Sequence, residues 1–395
     1  MNSLHQTTLA LIKSALTNQP AQITDSVDWN GLFSLCQKHQ IIPLVYYGAI
    51  LSGLSAPEPF LEQTMQAVLQ EQEQLNAFGR IASAFAEAGI DFLPLKGTVL
   101  KRLYPKTEMR AMGDMDILVR PSQYEAIRPI MVALGFVETG ESDHEYQWHK
   151  PPFVHVELHK KLIPQSDPEY YAYFGEGWER FLPDPAQQHR YRMRPEDELI
   201  FLFAHLTKHY RGKGIGVRHF MDIWVYLRQH PSLDLGNVKQ ELKKMELDVF
   251  FGHVCDTVAV WFDAKAATEL TEFITDRVLT SGSYGTLDRY QVAEAVRTST
   301  IEQSISKAKR KALWQLIFMP LSEMQIKYPV LKRAPVLLPI MWVVRWGTAI
   351  FCKRKNIRIE QERLRKLNAE TISAYQKELE LVGLRYEGEK QHTNH

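Results

Sequence analysis

The sequence predicts an α+β fold in which a small group of strands lies between two helical regions. Apolar side chains recur at helical spacing through residues 1–88, and the same spacing returns from Glu196 onward. Between these regions, short runs of β-branched and apolar residues around positions 90, 117 and 156 are typical of strands. Helices that are separated along the chain from a short set of strands define the α+β class.

The first region is predicted to be helical throughout. Residues 4–16 place their apolar side chains on one face of a helix, and Asp28 can cap a second helix. A long helix is predicted over residues 61–85, and Gly89 ends it. The first strand is therefore expected only after residue 88.

That first strand leads into a glycine turn. Residues 90–95 form a short apolar strand, and a helix is predicted over residues 99–103. Gly97 between them allows backbone N–H groups to approach an anion at the start of the helix. Lys96 and the Thr98 hydroxyl are candidates to complete a phosphate-binding turn. The alternative, an ordinary strand–helix turn with an exposed lysine, is equally compatible with these residues.

Asp114 and Asp116 open the second predicted strand, which continues through apolar residues to position 119. Residues two apart on a strand project from the same face, so the two carboxylates share a small volume and repel each other. A divalent cation such as Mg²⁺ relieves this repulsion, and it also binds substrate phosphates. On this reasoning, Asp116→Asn leaves the metal-free fold intact or stabilises it. A solvated strand end is the alternative explanation of the pair.

The third predicted strand, over residues 153–159, alternates strictly. Its apolar side chains face one side, whereas His155, Glu157 and His159 face the other. Glu157 therefore adds a third carboxylate on a second strand. Three carboxylates on adjacent strands can bind two metal ions, which support in-line displacement at a phosphorus atom.

Four motifs together resemble the uncharacterised nucleotidyltransferase family of the polymerase-β-like superfamily. They are Leu-Lys-Gly at 95–97, Arg-Ala-Met-Gly-Asp-Met-Asp-Ile-Leu-Val at 110–119, Leu-Gly-Phe at 134–136 and Val-Glu-Leu-His at 156–159. Segments around 28–44 and 328–339 resemble the same family more weakly. The resemblance implies a nucleotidyltransferase fold, a small mixed sheet with helices, flanked here by N- and C-terminal helical regions.

The resemblance also implies roles for site residues. Asp114 and Asp116 would bind both metal ions, and Glu157 would bind the catalytic ion and help to deprotonate the acceptor. Gly97 and Thr98 would take the place of the Gly-Ser that usually contacts the triphosphate in the superfamily. The cofactor implied is Mg²⁺ or Mn²⁺, with an NTP as co-substrate.

Three further residues are expected near the nucleotide. Lys96 and Arg110 flank the glycine turn and the aspartates in sequence, and His159 shares a strand face with Glu157. His144, His149 and His155 lie close by in sequence, so zinc is a minority alternative, because no cysteine joins them and phosphate chemistry favours oxygen ligands.

Composition limits the partners. The chain has 395 residues, enough for two or three domains, and its 47 basic and 46 acidic residues give a net charge of +1. This balance argues against bulk nucleic-acid binding. The three cysteines are far apart, and the N-terminal segment has no secretory pattern, so a cytoplasmic protein is expected. The acceptor stays open: a small molecule, sugar, peptide, protein or RNA end.

The expected segments are an N-terminal helical region at 1–88, a nucleotidyltransferase core at 89–165, a helical acceptor-side domain at 166–325 and a C-terminal extension with a tail at 326–395. Within the core, Ser122 and Glu125 match a capping box that would open a helix, and Pro129 should kink that helix.

Three features beyond the core have open interpretations. The apolar stretch 334–352 is expected to pack as a helix, and contact of 334–355 with an anionic membrane surface is a minority option because basic residues flank the stretch. His205 and His209 are four apart on a helix and can share a metal, but one packed and one solvated imidazole is the favoured interpretation. The basic loop 211–218 is expected to be solvated, although its cations can also meet an anion.

Two other functions compete with nucleotidyl transfer. An Asp-x-Asp glycosyltransferase would use the pair to hold a metal and a sugar nucleotide, but it needs a strand–helix–strand nucleotide site before the motif, where this sequence is predicted to be helical. A non-catalytic interaction protein on the nucleotidyltransferase fold would be favoured if a carboxylate were missing, and all three are present.

Overall fold

The computed structural model describes residues 2–165, 167–283, 330–352 and 369–384, together with single residues between 285 and 328. The chain forms two compact units. The first contains residues 1–210 and 215–284, and the second contains residues 211–214 and 285–395. The four-segment division expected from the sequence stays a prediction.

Four helices precede the sheet, and the spacing of apolar residues predicted all of them except the third as separate helices. They are α1 (Ser3–Thr17), α2 (Trp29–His39), α3 (Ile42–Leu51) and α4 (Glu58–Glu87). Asp28 caps α2, since its carboxylate accepts a hydrogen bond from the Gly31 amide at 3.0 Å. Gly48 allows α3 to lie against α1, because a Cβ there would be 2.0 Å from the Leu11 carbonyl oxygen.

A five-stranded mixed sheet forms the centre of the first unit. Its strands are β1 (Phe92–Pro94), β2 (Asp114–Val119), β3 (Val137–Glu141), β4 (Glu145–Lys150) and β5 (Val154–His159). The spatial order is β1-β2-β5-β4-β3; β2 and β5 run parallel, whereas the other neighbouring pairs are antiparallel. The antiparallel pair β3–β4 was not predicted from the sequence. The fold is therefore α+β with a small mixed sheet.

One face of this sheet is covered by α4 and by α6 (Tyr124–Ala133). Ile81 and Phe85 of α4 share a core with Ile117 of β2 and Val156 of β5, and none of these side chains is more than 1% exposed. Because side chains alternate along a strand, burying Ile117 and Val156 directs their neighbours Asp116 and Glu157 to the opposite face. The hydrophobic core therefore determines where the carboxylates project.

The start of α6 differs from the prediction. A 3-10 turn at Pro121–Gln123 precedes it, and the residue before Tyr124 makes no side-chain cap, so the capping box predicted from Ser122 and Glu125 is wrong. The Gln123 side chain instead accepts a hydrogen bond from the Asp91 amide and donates one to the Gly89 carbonyl, both at 3.0 Å. These bonds connect the segment to the end of α4 and satisfy backbone groups of that turn.

Helices dominate the remainder of the first unit. In addition to the short α5 (Gly97–Leu100), they are α7 (Pro168–Phe174), α8 (Pro195–Arg211), α9 (Val217–Gln229), α10 (Leu235–Lys243), α11 (Asp248–Phe262) and α12 (Glu269–Ser281). Two short strands, β6 (Leu182–Pro183) and β7 (Tyr191–Arg192), form a separate pair. The segment 211–218, predicted as a basic loop, contains the end of α8 and the start of α9. The connection between these two helices is therefore only five residues long.

In the second unit, helices are described at Val330–Arg333, Leu338–Cys352 and Ala369–Leu381. The apolar stretch predicted to pack internally is partly exposed: Val336 is 83% exposed, and Ile340 and Val343 are each 60% exposed. Trp342 packs edge-on against Phe318. None of the helices in the described part of the chain combines the length and the apolar character needed to cross a bilayer. The basic residues predicted to flank this stretch at 353–355 and the C-terminal tail lie outside the described residues.

Candidate active site

Two parallel strands present the predicted carboxylates side by side. In the pairing of β2 with β5, Asp116 lies opposite Glu157 and Asp114 lies opposite His155. Paired residues on neighbouring strands project from the same face, so Asp114, Asp116 and Glu157 share the side of the sheet that α4 and α6 leave uncovered. The structure therefore brings the three carboxylates predicted from the sequence to one side of one strand pair.

His159 completes this group at the end of β5. Its Nε2 lies 2.7 Å from Asp116 Oδ1 and 3.7 Å from Glu157 Oε2. One ligand atom from each of Asp116, Glu157 and His159 falls within 4.8 Å of the others, a spacing at which one metal ion can contact all three. Asp114 lies exposed at the start of β2. The buried end of the group is thus Asp116 with His159, and Asp114 is its solvent-facing member.

Lys96 bonds to the buried aspartate. Its Nζ lies 2.8 Å from Asp116 Oδ1. Burial by itself raises the pKa of Asp116, but the charge of Lys96 and the hydrogen bond from His159 outweigh it and hold that pKa far below the usual range for aspartate. Asp116 is therefore ionised, and its charge is balanced within the protein. Because Asp116→Asn would deprive Lys96 and His159 of this charge, the metal-free chain is expected to lose stability, and not to keep or gain it as predicted from repulsion alone.

The backbone of Lys96 is unusual. Its φ is +46° and its ψ is −119°, a conformation that residues with a side chain seldom adopt and that costs about 1–3 kcal/mol. Neighbouring hydrogen bonds hold it: the Leu95 amide donates to the Asp116 carbonyl at 3.0 Å, and the Leu100 amide donates to the Lys96 carbonyl at 2.9 Å. The turn thereby directs the lysine side chain across β2 to the carboxylate.

Glu157 is in the opposite electrostatic state. Burial, followed by the charges of Asp116, Glu145 and Asp114, raises the pKa of Glu157 to about 8. Burial and the charge of Asp116 also raise the pKa of Asp114. The group thus holds more carboxylate charge than its surroundings balance. Carboxylate oxygens are the donors that Mg²⁺ and Mn²⁺ favour, so these residues fit a divalent cation.

A second histidine supports the first. His144 Nε2 lies 2.9 Å from His159 Nδ1. Burial and the neighbouring His159 lower the pKa of His144 to about 3, so its imidazole is neutral. A neutral His144 that donates from Nε2 leaves His159 free to donate from its own Nε2 to Asp116. This chain of bonds fixes the orientation of His159 and makes it a positioning group for Asp116.

The other two histidines predicted in this region form a separate pair. His149 and His155 are partners in the pairing of β4 with β5, and their rings stack with centroids 4.3 Å apart. Zinc at these histidines stays a minority prediction, and the structure places His155 and His159 in different pairs. Within the part of the chain that the structure describes, a second three-residue group that can hold a metal contains His144, Glu145 and His159.

The glycine turn is packed against the protein on one side. Gly97 is the first residue of α5, and a Cβ there would lie 2.5 Å from Arg110 Nη1 and 3.0 Å from the Met112 side chain. Thr98 is buried, and its hydroxyl donates to the Met112 sulfur at 3.8 Å. A glycine is therefore required here by the side chains behind the turn. Phosphate binding by Gly97 and Thr98 stays a prediction.

Arg110 lies behind this turn in a buried ion pair. Its Nη2 is 2.8 Å and its Nε is 3.2 Å from the two carboxylate oxygens of Asp222 on α9, which also accepts a hydrogen bond from the Tyr104 hydroxyl at 2.8 Å. The guanidinium thus connects the site loop to the helical region. Direct contact of Arg110 with a nucleotide stays a prediction, and the structure assigns it a structural partner.

Sequence reasoning missed Glu145, the bond between His144 and His159, and the pairing of Asp222 with Arg110. His144 precedes the unpredicted strand β4 and Glu145 begins it. Tyr146 and Trp148 of this strand are buried in alternation, a period-2 signal that was available in the sequence. Asp222 is 112 residues from Arg110, and no local pattern links the two. Only the tertiary structure reveals this pair.

Known proteins were compared with this chain by sequence and by structure. A family model described as "Uncharacterised nucleotidyltransferase" matches residues 25–263. A solved structure, that of the antibiotic-resistance factor ANT(2'')-Ia, is similar at 10% sequence identity with a TM-score of 0.34, over 46% of this chain and 97% of that protein. This structural similarity is too low to support an argument. A search of curated proteins found no match.

Proposed function

Since the chain belongs to the family of uncharacterised nucleotidyltransferases, we propose that it transfers a nucleoside monophosphate from an NTP to an acceptor hydroxyl and releases pyrophosphate. The observation that carries this proposal is the pairing of Asp116 with Glu157 on neighbouring parallel strands, with Asp114 on the same face. In this reaction the acceptor oxygen forms a bond to the α-phosphorus while the bond to pyrophosphate breaks. The acceptor proton has to leave at the same time.

Asp114, Asp116 and Glu157 are the residues that would hold Mg²⁺ or Mn²⁺. When bound, the cation would align the acceptor oxygen with the α-phosphorus and neutralise charge on the leaving pyrophosphate. The raised pKa of Glu157 supports this assignment, because burial and three neighbouring carboxylates make its ionised form costly unless a positive charge is added.

The chain's own residues then have distinct tasks. In its ionised form, Glu157 accepts the proton of the acceptor hydroxyl on a carboxylate oxygen. Lys96 is the cation nearest to Asp116, so we assign it to the phosphate oxygens of a bound NTP. His159, oriented by His144, keeps Asp116 in position.

The competing functions find less support. Residues 2–113 contain four long helices and one three-residue strand, so the strand–helix–strand unit that a glycosyltransferase would place before Asp-x-Asp is absent from this fully described part of the chain. A non-catalytic relative would bind an NTP without turning it over. We place the protein in the cytoplasm, where NTPs are abundant. The acceptor is a small molecule, a sugar, a peptide, a protein or an RNA end.

The test screens the four NTPs with Mg²⁺ or Mn²⁺ and measures melting temperature and pyrophosphate release, with a desalted cell extract as the source of acceptors. Glu157→Gln is the test variant. Glu125→Gln is the matched control, because the Glu125 side chain is 85% exposed on α6. The proposal predicts stabilisation by one or more metal–NTP pairs and pyrophosphate release that is lost only in Glu157→Gln. Stabilisation by a UDP-sugar without any by NTPs would favour the glycosyltransferase.

A further inference from the structure

Three side chains at one end of the strand pair β4–β5 lie close together on the open face of the sheet. Glu145, the first residue of β4, is paired with His159, the last residue of β5. Paired residues on neighbouring strands project from the same face, so Glu145 shares the face of His159. His144 directly precedes β4, and its ring centroid is 4.6 Å from that of His159. Ligand atoms of the three side chains fall within 4.8 Å of one another.

The local backbone keeps His144 beside the strand pair. The Lys160 amide donates a hydrogen bond to the His144 carbonyl at 2.8 Å, which connects His144 to the end of β5. The Ser142 hydroxyl accepts hydrogen bonds from the amides of His144 and Glu145, at 3.2 and 3.1 Å. These bonds hold a turn that places two consecutive side chains near His159, although consecutive residues within a strand would project from opposite faces.

The two imidazoles are spaced for a shared ion. His144 Nε2 and His159 Nδ1 are 2.9 Å apart. Two nitrogens that bind one tetrahedral Zn²⁺ at about 2.0–2.1 Å lie about 3.3 Å apart. The rings therefore have to separate by only about 0.4 Å. His144 Nδ1 is buried and has no hydrogen-bond partner among the described residues, so no bond through that nitrogen opposes the movement.

His159 is already oriented in the way a metal-bound histidine is. Its Nε2 lies 2.7 Å from Oδ1 of the ionised Asp116. A ligating histidine usually donates its second ring N–H to a carboxylate or another acceptor, which fixes the ring and increases the basicity of the ligating nitrogen. His159 can therefore bind an ion through Nδ1 and keep its bond to Asp116. The carboxylate group lies on the Nε2 side of the ring, so the two sites use different nitrogens.

Glu145 supplies the third ligand. One of its carboxylate oxygens accepts a hydrogen bond from the Gln147 side chain at 2.8 Å, which leaves the other oxygen for an ion. Two imidazole nitrogens and one carboxylate oxygen are a donor set that occurs in catalytic zinc sites, where a fourth position stays open. Imidazole ligands favour a zinc-type ion over Mg²⁺, which prefers oxygen ligands.

The surrounding charge favours a cation. Among the residues that the structure describes, Asp114, Glu145 and Glu157 have no salt bridge to a lysine or arginine. The positive charges of Lys96 and Lys208 act on His144, but a carboxylate balances each of them. The lysine–carboxylate pairs around the group are Lys96 with Asp116, Lys208 with Asp167 and Lys160 with Glu141. This end of the sheet therefore carries carboxylate charge that a divalent cation would balance.

We propose that His144, Glu145 and His159 form a metal site that takes one Zn²⁺-type ion through His144 Nε2, His159 Nδ1 and a Glu145 oxygen. The ion takes the place of the proton between the two imidazoles, and the single proton of neutral His144 moves to Nδ1. Water or a substrate group fills the fourth position. The ligands differ from the four histidines considered from the sequence, because Glu145 is included and His149 and His155 are not. The site shares His159 with the carboxylate group, but it does not depend on the proposed nucleotidyl transfer.

The experiment measures zinc binding to the full chain after removal of metals with a chelator, in excess Mg²⁺ to occupy the carboxylate group. Stoichiometry is obtained by elemental analysis, and affinity by competition with a chromophoric chelator. The test variants are His144→Gln and Glu145→Gln. Their matched controls are His149→Gln, on the same strand but stacked on His155, and Glu141→Gln, whose side chain is 54% exposed.

The proposal predicts one zinc ion per chain and a loss of affinity of more than about 100-fold in each test variant, with none in the controls. The visible spectrum of the Co²⁺-loaded wild-type chain should show tetrahedral ligation by nitrogen and oxygen, a result that does not require any variant to fold. Unchanged zinc affinity in Glu145→Gln would overturn the proposal. A loss of affinity only in Glu157→Gln would assign zinc to the carboxylate group, and a loss in His149→Gln would assign it to the other histidine pair; either result would also overturn the proposal. Because zinc binding is measured without an NTP, a failure of nucleotidyl transfer is a separate result.

Discussion

The buried ion pair between Arg110 and Asp222 provides the sharpest test of how the site loop is held. Replacing Asp222 by Asn keeps the shape of the side chain but leaves the guanidinium buried without a counter-charge. Arg110 is 8% exposed and Asp222 is 4% exposed, so solvent cannot replace the lost partner. Burial raises the cost of the loss, because an unpaired charge is poorly solvated inside a protein.

The magnitude follows from the geometry. Two hydrogen bonds, of 2.8 and 3.2 Å, link the guanidinium to the two carboxylate oxygens, and Tyr104 bonds to the same carboxylate. Breaking a buried pair of this kind costs about 3–5 kcal/mol, which corresponds to a fall in melting temperature of roughly 5–9 °C for a unit of this size. Asp256→Asn is the matched control: Asp256 pairs with Lys265, both are about half exposed, and its loss should cost no more than about 1 kcal/mol.

Thermal and urea unfolding of the two variants measures the difference. The double variant Arg110→Met/Asp222→Leu should recover much of the loss, because it leaves no buried charge. If the melting temperature of Asp222→Asn were the same as that of Asp256→Asn, the structural role of the Arg110–Asp222 pair would be refuted. Arg110 would then be available for the nucleotide contact predicted from the sequence.

Three further predictions follow from the same contacts. Asp116→Asn should destabilise the metal-free chain, because Lys96 loses its partner, and should abolish stabilisation by Mg²⁺-NTP; a metal-free melting point equal to or above that of the wild type would contradict this. Gly97→Ala should lower the free energy of unfolding by about 1–3 kcal/mol, because its Cβ would lie 2.5 Å from the buried Arg110 guanidinium. Gly79→Ala is the control and should not lower it, because a Cβ there meets nothing within 4 Å. Equal melting points for the two variants would refute this explanation. Burial lowers the pKa of His39 from 6.5 to about 4, so the neutral imidazole contributes stability that is complete above pH 6.5 and decreases by about 3 kcal/mol as the pH falls to 4. The unfolding free energy of His39→Gln, measured across this range, should have the shallower slope, and parallel curves for variant and wild type would show that His39 does not titrate in this way.

The elements that the sequence predicted well depend on local patterns. Alternation over β5 placed Glu157 on the face opposite Val156, and the structure retains that arrangement because the apolar residues pack under α4 and α6. The helices α1, α2 and α4 follow helical spacing in the same way, whereas α3, whose residues are apolar almost throughout, was not predicted as a separate helix. Patterns of period 2 and period 3.6 are sufficient where one face of an element is buried.

The parts that could not be predicted depend on distant partners. Lys96 and His159 both bond to Asp116, from 20 and 43 residues away in sequence, and these bonds keep Asp116 ionised although its charge still raises the pKa of Asp114. The backbone of Lys96 makes the first contact possible, and no propensity rule predicts a positive φ at a lysine. Tertiary contacts of this type set the electrostatics of the site.

The most direct test of nucleotidyl transfer follows the α-phosphate itself. The full chain is incubated with Mg²⁺, an NTP radiolabelled on the α-phosphate and fractionated acceptors, and label in the acceptor fraction is compared with pyrophosphate released. The account predicts one pyrophosphate for each labelled acceptor, and no labelling by a folded Glu157→Gln variant. Labelling at the wild-type rate by Glu157→Gln, or transfer of the γ-phosphate in place of the α-phosphate, would contradict it.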